Sequence, residues 1–233
     1  MGSALDLATI AALLGDPARA NIVLALMDGR ARTASELAYA ARVTPQTASG
    51  HLKQLVAARL LEVAAQGRHR YFRLAGAPVA AMIESMMAVA ADVVPRLRPV
   101  RVPPELVRAR LCYDHLAGRL GVAIADAMVR HGALVLSCDG GEVTETGFAL
   151  LREIGVDIDA QRGRQRVFCR ACLDWSERRF HVGGAVGAAL AQRCFEQGWL
   201  ARERDSRAVH LTPPGRAALE ALFGPDVAMA AAA

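Results

Sequence analysis

Lysine is almost absent from this chain: among 233 residues there is one, Lys53, and arginine carries nearly all the positive charge. No uninterrupted apolar run reaches the roughly 18–20 residues that a membrane-spanning helix needs, so no membrane partner is expected. The first residues, MGSALDLATIAALLGD, have no basic leader and carry Asp6, which argues against a secretory signal and for a cytoplasmic protein. A phosphate-binding glycine loop, a zinc-protease motif and a nucleophile elbow are missing, and with them familiar signatures of catalysis. Cysteine is missing before position 112. The five present, at 112, 138, 169, 172 and 194, are odd in number. That count argues against a disulfide framework and leaves thiol, metal and core roles open.

What is present is a globular composition, 53% hydrophobic, with a net charge of +5 that is unevenly placed. Residues 1–103 hold 12 Lys or Arg against 7 Asp or Glu, whereas residues 104–233 hold 16 of each. The excess that would attract an anionic partner lies in the first part. Pro95 followed by RLRPVRVPP, residues 96–104, reads as a boundary, because proline stops helices and stiffens linkers.

Before that boundary the pattern is mostly helical. LDLATIAALLG predicts a helix ended by Gly15. DPARANIVLALMDG predicts one capped by Asp16, with Pro17 at its first position and Gly29 at its stop. TASELAYAARV pairs Thr33 with Glu36 three residues later, a capping box. TPQTASGHLKQLVAARL starts from Thr44 and Pro45. The period then changes: LLEVAAQGRHRYFRLAG alternates on both sides of a turn centred on Gln66-Gly67, which predicts a β-hairpin. APVAAMIESMMAVAADV closes the unit as an amphipathic helix.

This order predicts a helix-turn-helix over residues 33–55 followed by a two-stranded wing. Leu52, Leu55 and Val56 would bury the second helix. Thr44, Gln46, Thr47, Ser49, Gly50, His51 and Lys53 would then stand towards a DNA major groove. Small side chains permit close approach, and amide or hydroxyl groups can read base edges. Arg68, His69 and Arg70 at the hairpin tip would meet phosphates or a minor groove.

On these residues the chain resembles the arsenic-repressor (ArsR) family of winged helix-turn-helix regulators. The matching stretches are LGDPARANIVLAL (14–26), SELA (35–38), TPQTASGHLKQLVAARLLE (44–62) and GRHRYFRL (67–74). The resemblance covers residues 5–94 and implies a homodimer paired through residues 5–14 and 78–94, where Met82, Met86 and Met87 offer an adaptable apolar face. Two copies of residues 44–55 would then face two half-sites of a palindromic operator. The family's usual metal ligands are not matched. The helix before the recognition helix reads ELAYAAR, without cysteine, and residues 78–94 contain Glu84 and Asp92 but no histidine.

Residues 105–233 are expected to hold the sensor. ELVRARLCYDHLAGRLGVAIADAMVRHG reads as one long helical stretch, interrupted near Gly118 or Gly121. A hairpin with a Gly-Gly turn and a helix starting near Thr144 or Thr146 follow. VGAALAQRCFEQGWLARERDSRAVHLTPPGRAALEALFG repeats helix, hairpin and helix, a layout that echoes residues 51–87 as a weak internal repeat. Cys169-x-x-Cys172 has a spacing suited to a metal, a redox disulfide or plain packing, and Arg170, Arg178 and Arg179 nearby would favour thiolate. Two ligands do not make a zinc site. His181, Cys112, Cys138, His115 or Asp174 would complete one only if the fold gathers them. Cys112, Tyr113, Asp114 and His115, in the opening helix, are pocket candidates, with Asp114 pairing to Arg110 or Arg119 as the plain alternative. Trp175 and Trp199 are candidate pocket walls.

The resulting expectation is a mainly α fold with small β-hairpins (α+β). Residues 1–94 would bind DNA and dimerise, 95–104 link, and 105–233 sense. The function is a DNA-binding transcriptional regulator, a homodimeric repressor on double-stranded operator DNA, released by an inducer whose identity the sequence does not give. Effector candidates are Cys169, Cys172, Cys112, His115 and His181. A metal would enter through Cys169 and Cys172, and none is required for DNA binding. The alternative is a thiol oxidoreductase using Cys169 and Cys172.

Overall fold

In a computed structural model of the chain, residues 4–66, 69–97, 103–137, 140–157, 160–161, 166–204 and 206–231 are described. They form an α+β protein of helices and short antiparallel hairpins, in two compact units, Met1–Met82 and Ile83–Ala233.

In the first unit the capping chemistry sets the helix starts. Helix α1 (Ala4–Leu14) stops at Gly15, and α2 (Pro17–Ala25) begins where Asp16 accepts from the Arg19 amide. Strand β1 (Arg32–Thr33) leads into α3 (Ala34–Ala41), whose Thr33–Glu36 capping box is complete. Thr44 caps α4 (Pro45–Ala57) by accepting from the Thr47 amide at 3.2 Å. Strands β2 (Leu61–Gln66) and β3 (His69–Leu74) form the wing. Its register pairs Gln66 with His69, so Gln66 belongs to the strand and not to the turn as expected. The sheet has three strands and not two, because Arg32 and Thr33 pair with Phe72 and Tyr71. Asp28, fully buried, fixes that edge: its carboxylate accepts from Arg30 Nε at 2.6 Å and Arg32 Nη2 at 3.0 Å. Ile22, Leu26, Leu37, Leu52, Leu55 and Phe72 fill the core of this unit. Helix α5 (Ala77–Leu97) runs across the division between the units.

The second unit departs from the sequence expectation at its start. Residues 105–132 are not one helix. A short α6 (Pro104–Arg108) is followed by a hairpin of β4 (Arg110–Cys112) and β5 (His115–Ala117), and only then by α7 (Gly118–Arg130). Tyr113 takes a left-handed φ of 63° in the turn, and Gly118 takes 75° where the strand hands over to the helix. Neither value continues a right-handed helix. The hairpin β6 (Leu134–Ser137) with β7 (Gly140–Val143) leads to α8 (Glu145–Ile154), capped by Thr144 as expected. Gly140 and Gly141 lie in strand β7, whereas a turn was expected there. Strands β8 (Arg170–Leu173) and β9 (Phe180–Gly183) then precede α9 (Gly184–Glu196), β10 (Leu200–Arg202), β11 (Val209–Leu211), α10 (Pro213–Phe223) and α11 (Pro225–Ala230).

The order strand, strand, helix, strand, strand, helix therefore occurs twice, over residues 110–154 and 170–223. The copies match in detail. Gly118 and Gly184 each open a helix with positive φ, and an added Cβ would meet the Val107 or the Val167 carbonyl at 2.7 Å. Thr144 and Thr212 each cap a helix while donating back to Gly132 O or Gly198 O. A Cβ on Gly147 or Gly215 would lie 2.0 Å from Ala133 O or Trp199 O, so glycine is what lets each helix pack this closely on the preceding turn. Packing is reciprocal: β9 lies on α7, and β5 lies on α9.

Candidate DNA interface and a buried cysteine-histidine cluster

Helix α4 is held by one face and open on the other. Ala48, Leu52 and Leu55 are buried, while Thr44, Gln46, Thr47, Ser49, Gly50 and Lys53 are exposed. Val56 is half-buried. His51 is half-buried too, because its Nδ1 lies 3.4 Å from Arg19 Nη1, which also donates to Gln54 Oε1 at 3.1 Å. Ser49 Oγ returns its proton to the Pro45 carbonyl at 2.8 Å, leaving its acceptor capacity outward. A Cβ at Gly50 would touch nothing within 4 Å, so no internal contact requires glycine there. On the wing, His69 and Arg70 are exposed, and Arg70 sits 5.9 Å from the Phe72 ring centroid. Ser49, Lys53 and Arg70 line one cleft with Leu52, Val56 and Phe72. Both of its cations thus come from elements expected to meet DNA. Arg68 lies outside the described residues.

In the second unit the first hairpins of the two copies meet. Cys112 pairs across its hairpin with His115, and Cys172 pairs across its own with His181. One ligand-type atom from each of these four residues lies within 4.8 Å of the others, and all four are buried. The Cys112 and Cys172 sulfurs are 3.9 Å apart, nearly twice a disulfide bond length of about 2.05 Å. Each histidine turns its Nδ1 to the aspartate of its own copy: His115 to Asp114 Oδ1 at 3.1 Å, His181 to Asp174 Oδ2 at 3.3 Å. Nε2 of both rings is buried without a hydrogen-bond partner.

The surrounding charges are strongly organised. Asp174 accepts from Arg110 Nη2 at 2.9 Å and from the Gly118 amide at 2.7 Å. Burial alone would raise its carboxyl, but His181 and Arg110 hold it well below the ordinary range. Asp114 accepts from Arg166 Nη1 at 2.7 Å, and His115 and Arg166 together outweigh burial and lower it. Burial and the hydrogen bond to Cys172 raise Cys112. That same bond, with His115 and His181 nearby, pulls Cys172 far down. Burial opposes charging of His181, yet Asp174 and the Cys172 sulfur raise it to about 9. Glu84 of α5 is buried beside Cys112, and its charge adds to the rise there. Two cysteine sulfurs and two imidazoles from opposite hairpins converge on one point, a donor set that, once deprotonated, suits a single borderline or soft metal ion.

A helix-turn-helix domain model matches residues 14–64, from the end of α1 into β2. The uncharacterized HTH-type transcriptional regulator YdfF of Bacillus subtilis (strain 168) is 44% identical over 216 residues, 92% of this chain and 96% of that protein. The chain belongs to the HTH-type transcriptional regulators. Among solved structures, the regulator is similar to the homodimeric winged helix-turn-helix DNA-binding domain of Mb0332 from Mycobacterium bovis, described as a possible ArsR-family regulator. That match has 26% identity, 41% of this chain, 88% of that one and a TM-score of 0.36. It is also similar to the cadmium metal-sensor CMTR of Mycobacterium tuberculosis, with 25% identity, 41% of this chain, 91% of that one and a TM-score of 0.30.

The regulator's effector candidates sort into two places. Cys112, His115, Cys172 and His181 come together, while Cys169 does not join them. Cys169 packs in the main core of its unit, near Gly141, and burial pushes its thiol up to about 11. The pair expected from the Cys169-x-x-Cys172 spacing is therefore not formed. Cys169 lies just before β8, not in it, so strand register does not bring it to the face of Cys172. Of the arginines expected to activate these thiols, Arg179 pairs with Asp126 at 2.7 Å and Arg178 donates to Ala91 O at 3.1 Å. Asp114 pairs with Arg166, not with Arg110 or Arg119; those two pair with Asp174 and Glu177. Trp175 carries the Arg110 guanidinium 4.3 Å from its ring centroid. Cys138 lies outside the described residues. The sequence did contain the missed signal, R-x-C-x-D followed by H-x-x-G-x-x-G. It stands at 110–121 and again at 170–187, with six more residues inside the second hairpin.

Proposed function

We propose that this regulator is a homodimeric transcriptional repressor of the winged, ArsR-like kind, acting in the cytoplasm on a palindromic operator. The observation that carries the reading is the exposed polar face of α4, anchored from behind by Ala48, Leu52 and Leu55. Gln46, Thr47, Ser49 and Lys53 meet bases and phosphates in the major groove, Gly50 permits close approach, and Thr44 caps the helix at the DNA surface. Arg68, His69 and Arg70 of the wing meet the backbone or minor groove. Dimerisation through α1 and α5 is supported by large apolar side chains exposed on each: Leu7 is 73% exposed, Met86 45% and Val89 64%. Residues 1–94 read DNA and residues 105–233 register the signal that releases it. A signal acts only through different affinity for the DNA-bound and free states. The reading is of a regulator and not of an enzyme.

The test is a footprint of the full-length protein on DNA upstream of its own gene. Two protected half-sites about one helical turn apart are expected. Protection without that repeat, or none at all, overturns the dimeric reading.

A further inference from the structure

We propose that Cys112, His115, Cys172 and His181 hold one zinc ion that fastens the two copies of the repeat in the second unit together. Four observations converge. Each copy contributes the same two donors from the same two places, a cysteine and the histidine paired with it across a hairpin. The 3.9 Å between the sulfurs fits a tetrahedral ion with Zn–S bonds of about 2.3 Å, which sets two such ligands about 3.8 Å apart. Both imidazoles have a buried Nε2 without a hydrogen-bond partner; His115 Nδ1 is hydrogen-bonded to Asp114, the arrangement by which an outer-shell aspartate fixes a metal-binding tautomer, and His181 Nδ1 lies 3.3 Å from Asp174 Oδ2. Each histidine also lies beside the glycine of the opposite copy: a Cβ on Gly187 would stand 3.2 Å from His115 Cβ, and one on Gly121 at an ordinary contact of 3.7 Å from His181 Cβ.

The donor set also names the ion. Two thiolates with two imidazoles in a site where the donors lie within 4.8 Å of one another suit a single tetrahedral d10 divalent ion. Four buried protein ligands leave no position for water or substrate, so the site is of the closed, structural type. On binding, each thiol or imidazolium still protonated releases its proton to solvent and no electron moves. This site does not depend on the DNA-binding reading, and either can fail alone.

The experiment is a Co2+ titration of the reduced, full-length protein stripped of metal, followed by visible and near-ultraviolet absorption. One Co2+ per chain is expected to give the intense visible bands of tetrahedral cobalt and a thiolate-to-cobalt band, both bleached by one equivalent of Zn2+. Cys112→Ser and Cys172→Ser are each expected to lose most of the thiolate band, whereas Cys169→Ser and Cys194→Ser keep it. In the unmodified protein, Zn2+ should protect Cys112 and Cys172 from alkylation in a peptide map. That readout needs no variant to fold. Octahedral cobalt without a thiolate band overturns the proposal. So does a spectrum that survives Cys112→Ser, or a Cys112–Cys172 disulfide that forms as readily with Zn2+ present as without it.

Discussion

Gly50 shows how position decides what a residue does. It sits mid-helix on the exposed face of α4, where a Cβ would touch nothing. Glycine in a helix interior costs about 0.5–1 kcal/mol against alanine, so Gly50→Ala should raise unfolding stability by about that much. If the space is kept for DNA, the same variant should bind operator more weakly, and denaturant melts beside binding titrations will separate the two effects. Lys53 and Arg70 line one cleft from helix and wing. Each is expected to release about one counterion on binding, so Lys53→Ala and Arg70→Ala should each flatten the log affinity against log salt slope by about 1. An unchanged slope for both would place the phosphate contacts elsewhere.

At the scale of elements, helix starts were legible because their chemistry is local. Thr33 with Glu36, Thr44 with Pro45, and Thr144 each set a helix start in the structure as in the sequence. The hairpin β4–β5 was not legible. Its strands are three residues each, too short for a period of two to show, and Leu, Ala and Arg around them favour helix by propensity. The cluster was hidden for a related reason. Cys112 and His115 are separated by two residues and Cys172 and His181 by eight, so the repeat is out of register in the line of sequence and in register only across the strands. Close approach between helix and strand is testable here. A Cβ at Gly187 would lie 2.1 Å from the Val182 carbonyl, backbone that cannot yield cheaply. Gly187→Ala should cost about 1–3 kcal/mol by thermal or denaturant unfolding, opposite in sign to Gly50→Ala.

For the whole molecule, the proposed dimer joins three features: the excess positive charge and the exposed face of α4 would meet DNA, and the apolar side chains exposed on α1 and α5 would pair the two copies. Val89→Glu places a charge on an exposed apolar position of α5. If that face is the dimer contact, the variant should sediment as a monomer and lose operator affinity, while its melting temperature at high dilution stays near that of the parent. The measurement that bears most directly on the central claim is fluorescence anisotropy of the full-length protein at fixed salt. Duplex from upstream of its own gene would be compared with a scrambled duplex of equal length and composition. The account predicts binding at least about a thousandfold tighter to the first, and loss of that preference in a variant carrying both Lys53→Ala and Arg70→Ala. Equal affinity for the two duplexes, or a preference that the double variant keeps, would contradict it.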